Sequence, residues 1–285
     1  EARFQVGYQV GGIAQRIYDP KSSGATIDVN SEGFARAFER STELLHSNKV
    51  IFEAGLSAGG ALAFADVMLP EQKNGNPVWR MVEVKSSTSV KNYHRDDVAV
   101  QAFVAQSAGV SLESIALAHI DSKWVYPGGD DYQGLLKECD LTAEAFSRTN
   151  EVKAWIDQAQ NIVAQTTEPD IDTGDHCNSP FECGFYDYCS RNKPKPTYPL
   201  DWLPRFSSAK VKDLAAQGVN DMSGVPDNLL NDKQQRVKNH TLADTVFFDA
   251  DGAAADLASF TLPAYFLDFE AIQFSVPIWK GTRPY

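Results

Sequence analysis

Residues 64–85 read FADVMLPEQKNGNPVWRMVEVK, and the pattern of this stretch decides the fold. Two apolar runs flank the polar turn KNGNP, which is the arrangement of a β-hairpin. Each run carries charge inside apolar sequence: Asp66 in FADVML, Glu83 and Lys85 in VEVK. Side chains alternate along a strand, so Glu83 and Lys85 share one face. If the hairpin pairs them near Asp66, two carboxylates and an ammonium meet. Unpaired burial of such groups is costly. A divalent cation resolves the conflict, because hard carboxylate oxygens suit magnesium or manganese, which keep several waters. Phosphodiester hydrolysis asks for such a centre: a water nucleophile, neutralised charge at phosphorus and a stabilised leaving group. Lys85 would orient the water or stabilise the developing charge. On spacing alone, an ordinary cross-strand ion pair competes with this reading.

Outward from the hairpin, apolar periodicity predicts helices over 3–18, ended by Asp19-Pro20, and over 31–46, with Ser31 as N-cap. A strand over 49–56 joins the first hairpin strand, 61–69, through Gly59-Gly60, and the second hairpin strand is expected over 78–87. A helix over 95–108, closed by Gly109, and a strand over 114–120 follow. The order predicts an α/β fold with a mixed sheet and flanking helices. Gln101 falls early in that helix and is expected to enter the same cleft. Lys73, Arg80, Lys91 and Arg95 make the region locally basic, as a phosphate-binding cleft requires. Glu53 reads as an accessory acid or as an edge-strand solvent contact.

Beyond, 131–165 reads as largely helical, NKPKPTYP (192–199) as a linker, and 207–240 as two short helices about a glycine turn. PAYFLDFEAI (263–272) reads as a buried strand carrying acids, and FSVPIWKGTRPY trails away. Four cysteines are unevenly placed. Cys139, in LLKECDL, reads as a helical core residue, whereas Cys177, Cys183 and Cys189 share CNSPFECGFYDYC. Their spacing is not that of a zinc finger. Iron–sulfur ligation, zinc and free thiols all remain open, and three thiols are one short of a four-ligand set. The loop 165–189 holds six acids and no lysine or arginine.

With 285 residues the length favours two domains. The formal charge of −12 excludes a basic nucleic-acid coat over the whole surface, but not a basic cleft. No apolar run approaches the ~20 residues of a membrane-spanning helix, so no membrane partner is expected. With no initiating methionine and no signal-peptide pattern, the chain is expected to be a piece of a longer cytoplasmic protein.

FADVML followed by WRMVEVKSSTSVKNYHRDDVAVQAFV resembles the PD-(D/E)XK nuclease core of RecB-like proteins. The resemblance implies a restriction-endonuclease-like sheet. It also implies Mg2+ or Mn2+ held by Asp66 and Glu83 with the Val84 carbonyl, hydrolysis assisted by Lys85, and nucleic acid positioned by Gln101. DNA, cut in single strands or at ends during repair or defence, is the implied substrate. Tyr8 stands where such nucleases often carry a histidine, and the tyrosine that often follows the glutamine is absent from QAFVAQ.

The cysteine stretch resembles the C-terminal cluster of iron–sulfur RecB-like nucleases. That implies a 4Fe–4S cluster on Cys177, Cys183 and Cys189, with a fourth cysteine ahead of the first helix and outside these residues. YFLDFEAIQFSVPIWKGTRPY resembles the first motif of DnaQ-like DEDD exonucleases, as found behind RecB-like domains in a bacterial fusion family. It implies a second metal site begun by Asp268 and Glu270. The expected organisation is a nuclease-like domain with the cysteine cluster over 1–190, a linker and helical connector over 191–254, and a partial RNase-H-like segment over 255–285. A non-catalytic nucleic-acid-binding module or a redox-sensing iron–sulfur module is the alternative function.

Overall fold

A computed structural model describes residues 2–285. The chain divides into two compact units, Glu1–Asp170 with Glu270–Tyr285, and Ile171–Phe269. The expected boundaries were near 190 and 255; the cysteine loop instead belongs to the second unit, and the C-terminal residues return to the first.

The first unit is mixed α/β, built on one open sheet of six strands in the order β1-β2-β3-β4-β5-β6. They span Ala25–Thr26, Ile51–Ala58, Ala61–Lys73, Asn76–Lys85, Leu112–Ile120 and Leu136–Asp140. β1 lies parallel to β2, and β2, β3 and β4 form an antiparallel meander. β4 and β5 are parallel and β5 and β6 antiparallel. The hairpin turn of β3 and β4 is Asn74-Gly75, with φ 53° and 80°. Two successive left-handed residues match the twist of the flanking strands, which is why Asn-Gly occurs there.

Parallel β4 and β5 need a crossover, supplied by α4 (Asn92–Ser107). Val98, Ala102, Phe103 and Ala105 of α4 pack with Ala54, Met68, Met81, Ile115 and Leu117 of the sheet. α3 (Phe34–Leu45), α5 (Thr142–Ser147) and α6 (Thr149–Val163) complete that core. The opposite face is covered by α1 (Ala2–Tyr18), whose Val10 and Ile13 pack with Ile120, Leu135 and Val276.

Four local expectations are corrected. The helix expected over 31–46 is broken at Gly33, whose φ of 77° cannot belong to a helix. A short α2 (Val29–Glu32) precedes the break, capped by Asp28 accepting the Asn30 N–H, so Ser31 lies inside that helix. Residues 136–140 form the edge strand β6, and Cys139 is a half-buried strand residue. An amphipathic five-residue run is too short for periodicity to distinguish helix from strand. Finally, 263–272 is neither strand nor buried: Tyr265, Phe266 and Phe269 are more than four-fifths exposed. An extended run needs a neighbour to satisfy its backbone, and no described strand pairs with it. Nor does FSVPIWKGTRPY trail away, since Val276 is buried in the first unit.

The second unit holds α7 (Tyr186–Ser190), α8 (Ser208–Ala216), α9 (Asp232–Leu242) and α10 (Ala250–Leu257). Leu200, Leu203, Leu214, Met222, Val225 and Leu230 form its small core. Ser207 and Asn231 cap α8 and α9, the latter with Gln234 in a reciprocal capping box. Among the described residues no helix is long and apolar enough to cross a membrane.

Candidate active site

Asp66 and Glu83 meet where the sheet opens. The β3–β4 ladder ends at Val67 opposite Val82. One step further the same register sets Asp66 opposite Glu83, but backbone pairing stops, and Asp66 Oδ2 accepts the Val84 N–H at 2.7 Å. On the other side of β3 the register sets Glu53 opposite Asp66, and that pair too is missing from the ladder. Glu53 has φ 57° within a strand, backbone strain of the kind that persists where surrounding structure holds it. Three carboxylates thus converge at the opening.

Glu83 is 4% exposed, and both its oxygens are engaged. Lys85 Nζ donates to Oε1 at 2.5 Å, and Gln101 Nε2 donates to Oε2 at 2.7 Å. Lys85 also donates to Asp97 Oδ2 at 2.7 Å, so its ammonium is held between two acids. Gln101, expected to reach nucleic acid, is buried and orients Glu83 instead; its Oε1 is left without a hydrogen-bond partner among the described residues. Asp97, which the sequence reading did not single out, completes the site. The signal was there, since Asp97 and Gln101 are spaced i, i+4 on one helix face.

Burial pushes the Asp66 carboxyl up to about 6, against the Val84 N–H and the Lys85 ammonium. Burial, then the Asp66 charge, pushes Glu83 well above the usual carboxylate range. Glu53 is raised by burial and by Glu83. Burial works against the Lys85 ammonium, yet Glu83 and Asp97 outweigh it and hold its pKa above that of a free lysine. Lys85 is therefore a fixed positive charge.

The opening faces a cleft of about 470 Å³ beneath α1, lined by Glu53, Asp66, Glu83, Val84 and Lys85 on the sheet side. The α1 wall includes Tyr8, Gly7, Gly11 and Gly12, and a Cβ at any of the three glycines would meet open space. These small residues keep the carboxylates reachable. Tyr8 is exposed at the rim.

The donor set suits a hard divalent cation. After burial, the Glu53 charge raises Asp66 and the Asp66 charge raises Glu83, and a cation among these carboxylates offsets that repulsion. Magnesium is commonly held by one or two carboxylates, completed by waters and substrate phosphate. A two-carboxylate site is thus compatible with the finding that, among the described residues, no group of three or more His, Cys, Asp and Glu side chains is arranged to hold a metal.

The other expected sites are not assembled. Cys177 is buried, Cys183 half-buried and Cys189 exposed. Turns bring their backbones close, with Cys183 N–H donating to the Cys177 carbonyl at 2.7 Å. Among the described residues the thiols form no group of three or more arranged to hold a metal. Asp268 and Glu270 are exposed on irregular chain, and Asp268 Oδ1 accepts the neighbouring Phe269 N–H. The expected basic cleft is also corrected: Lys73 pairs with Glu113, Arg80 with Glu138 and Arg95 with Glu144. Of the four basic residues only Lys91 keeps its charge uncompensated by an ion pair among the described residues.

Comparison with models of known families and with curated proteins gives no match to this chain.

Proposed function

We propose that the chain is a metal-dependent nuclease hydrolysing DNA phosphodiester bonds, with a restriction-endonuclease-like core. The observation that carries the reading is the convergence of Asp66, Glu83 and Lys85 at one sheet opening on an accessible cleft. Asp66 and Glu83 would hold Mg2+ or Mn2+. When bound, such an ion neutralises charge at phosphorus and acidifies a water.

The chain's own residues do the rest. Gln101 fixes the rotation of Glu83, and the Val84 N–H fixes that of Asp66, so the carboxylates meet the ion without reorganising. Lys85, kept protonated by Glu83 and Asp97, places a positive charge beside the phosphoryl oxygens as negative charge develops there. Its fixed charge suits it to stabilisation and not to proton abstraction. Asp97 is a positioning residue acting through Lys85.

The test is cleavage of 5′-labelled single-stranded and duplex DNA with Mg2+ or Mn2+. Glu83→Ala and Lys85→Ala should each lower the rate by about 100-fold or more, the scale of losing an electrostatic stabiliser. Retained cleavage in either variant would remove the mechanism. Binding without cleavage under every metal would support a non-catalytic nucleic-acid module instead.

The iron–sulfur reading of Cys177, Cys183 and Cys189 is independent of this reaction. Iron and acid-labile sulfide assays on anaerobically purified protein test it. About four irons per chain would support it, and the absence of iron would remove it.

A further inference from the structure

Beside the carboxylate opening lies a second pocket, of about 530 Å³, that no acidic side chain lines. Ser87 and Thr88 follow directly from the strand that carries Glu83 and Lys85. Lys91 precedes α4, Ser122 follows β5, and Arg283 and Tyr285 come from the far end of the chain.

The distant contribution is built and not incidental. Tyr126 N–H donates to the Thr282 carbonyl at 2.9 Å, and Gly281 N–H returns a bond to Tyr126 at 2.9 Å. Tyr132 Oη donates to the Pro277 carbonyl at 3.2 Å. Tyr285 Oη donates to the Ser86 carbonyl at 2.5 Å, and Ser86 itself lines the carboxylate cleft. Residues 274–285 are therefore tied to the first unit and bring Arg283 to the pocket that Lys91 lines.

Neither Lys91 nor Arg283 has an ion pair among the described residues, although most cations elsewhere in the first unit do. The Ser87 hydroxyl is spent on the Ser89 carbonyl. The Thr88 and Ser122 hydroxyls remain to donate. Two cations and two hydroxyls around a pocket without acidic side chains, in a chain of net charge −12, are the groups that recognise a phosphate.

We propose that Lys91 and Arg283, with Thr88 and Ser122, form a phosphate subsite that grips the polynucleotide backbone one step away from the carboxylate pair. The proposal rests on the nuclease reading for the identity of the strand. It assigns the C-terminal strap a role in holding substrate.

The probe is a fluorescein-labelled oligo(dT) of about twelve nucleotides, followed by anisotropy with a chelator present so that no cleavage occurs. Lys91→Ala/Arg283→Ala should bind about tenfold more weakly at low salt. The slope of log affinity against log salt should fall by about 1.4, at ~0.7 per phosphate contact on a single strand. Lys91→Arg/Arg283→Lys should restore both, which separates lost charge from a misfolded strap. Arg36→Ala/Lys153→Ala removes the same net charge at distant exposed ion pairs and should leave binding unchanged. Equal affinity in the wild type and the Lys91/Arg283 double alanine variant, or an equal loss in the distant control, would overturn the proposal.

Cleavage measured on the same samples keeps the two readings apart. A wild type that binds through Lys91 and Arg283 but does not cut retains the subsite and loses the nuclease. A double variant that binds and cuts as well as the wild type retains the nuclease and loses the subsite.

Discussion

At the scale of single residues, the carboxyl pair is destabilising when no cation is present. Asp66 has a raised pKa in the folded chain, 3.8 going to about 6. A carboxyl raised by folding contributes its full stability below its unfolded value. That contribution is lost as pH rises through about 6, so at neutral pH the folded chain bears the cost of a buried Asp66 carboxylate. Asp66→Asn keeps an oxygen to accept the Val84 N–H and removes the charge. In chelator at pH 7 it should stabilise the protein by about 1–3 kcal/mol, at 1.36 kcal/mol per pKa unit. Urea unfolding checks this, and a destabilised variant would contradict the assignment. By the same linkage, metal-dependent cleavage should rise with pH through about 6, because Asp66 must lose its proton to bind a cation.

Asp66, Glu83 and Lys85 were legible because strand alternation and a recognisable turn suffice to bring them together. The partner of Lys85 was not. RDDVAVQ offers two neighbouring acids, and only the packed helix shows that Asp96 faces Arg148 while Asp97 faces Lys85.

At the scale of elements, α1 decides access. Gly7, Gly11 and Gly12 weaken a helix interior, by up to about 1 kcal/mol each relative to alanine, and what they provide is the space of the cleft. Gly11→Ala should therefore raise the melting temperature slightly and leave cleavage intact. Gly11→Leu should fold as well and cut far less, because its side chain enters the cleft beside the carboxylates. Equal cleavage by the leucine variant would show that substrate does not approach beneath α1.

α1, α3, α4 and the β2–β5 strands were legible from periodicity and from the glycine turns. β6 was not, because five residues of mixed polarity carry no decisive period. The strand expected at 263–272 failed for a complementary reason: its composition suits a sheet, and no described strand lies alongside to pair with it. Which distant segment closes the first unit was also invisible, since nothing in FSVPIWKGTRPY announces that Val276 packs against α1.

At the scale of the whole molecule, charge governs partners. Counting basic residues along 73–95 suggested a positive cleft, but long-range ion pairs cancel three of the four, and sequence order does not reveal such pairs. What remains is a chain of net charge −12 with acids gathered at one opening and two uncompensated cations beside it. An acidic protein with this layout should bind polynucleotide weakly without a divalent cation and more tightly with one. The carboxylate centre is thus the claim on which the function turns, and Mn2+ binding followed by calorimetry at pH 7 tests it most directly. The wild type should take up Mn2+ at this centre with release of protons, and Glu83→Gln should lose that uptake while unfolding cooperatively like the parent. No Mn2+ uptake by the wild type, or the same uptake and proton release by Glu83→Gln, would contradict the account.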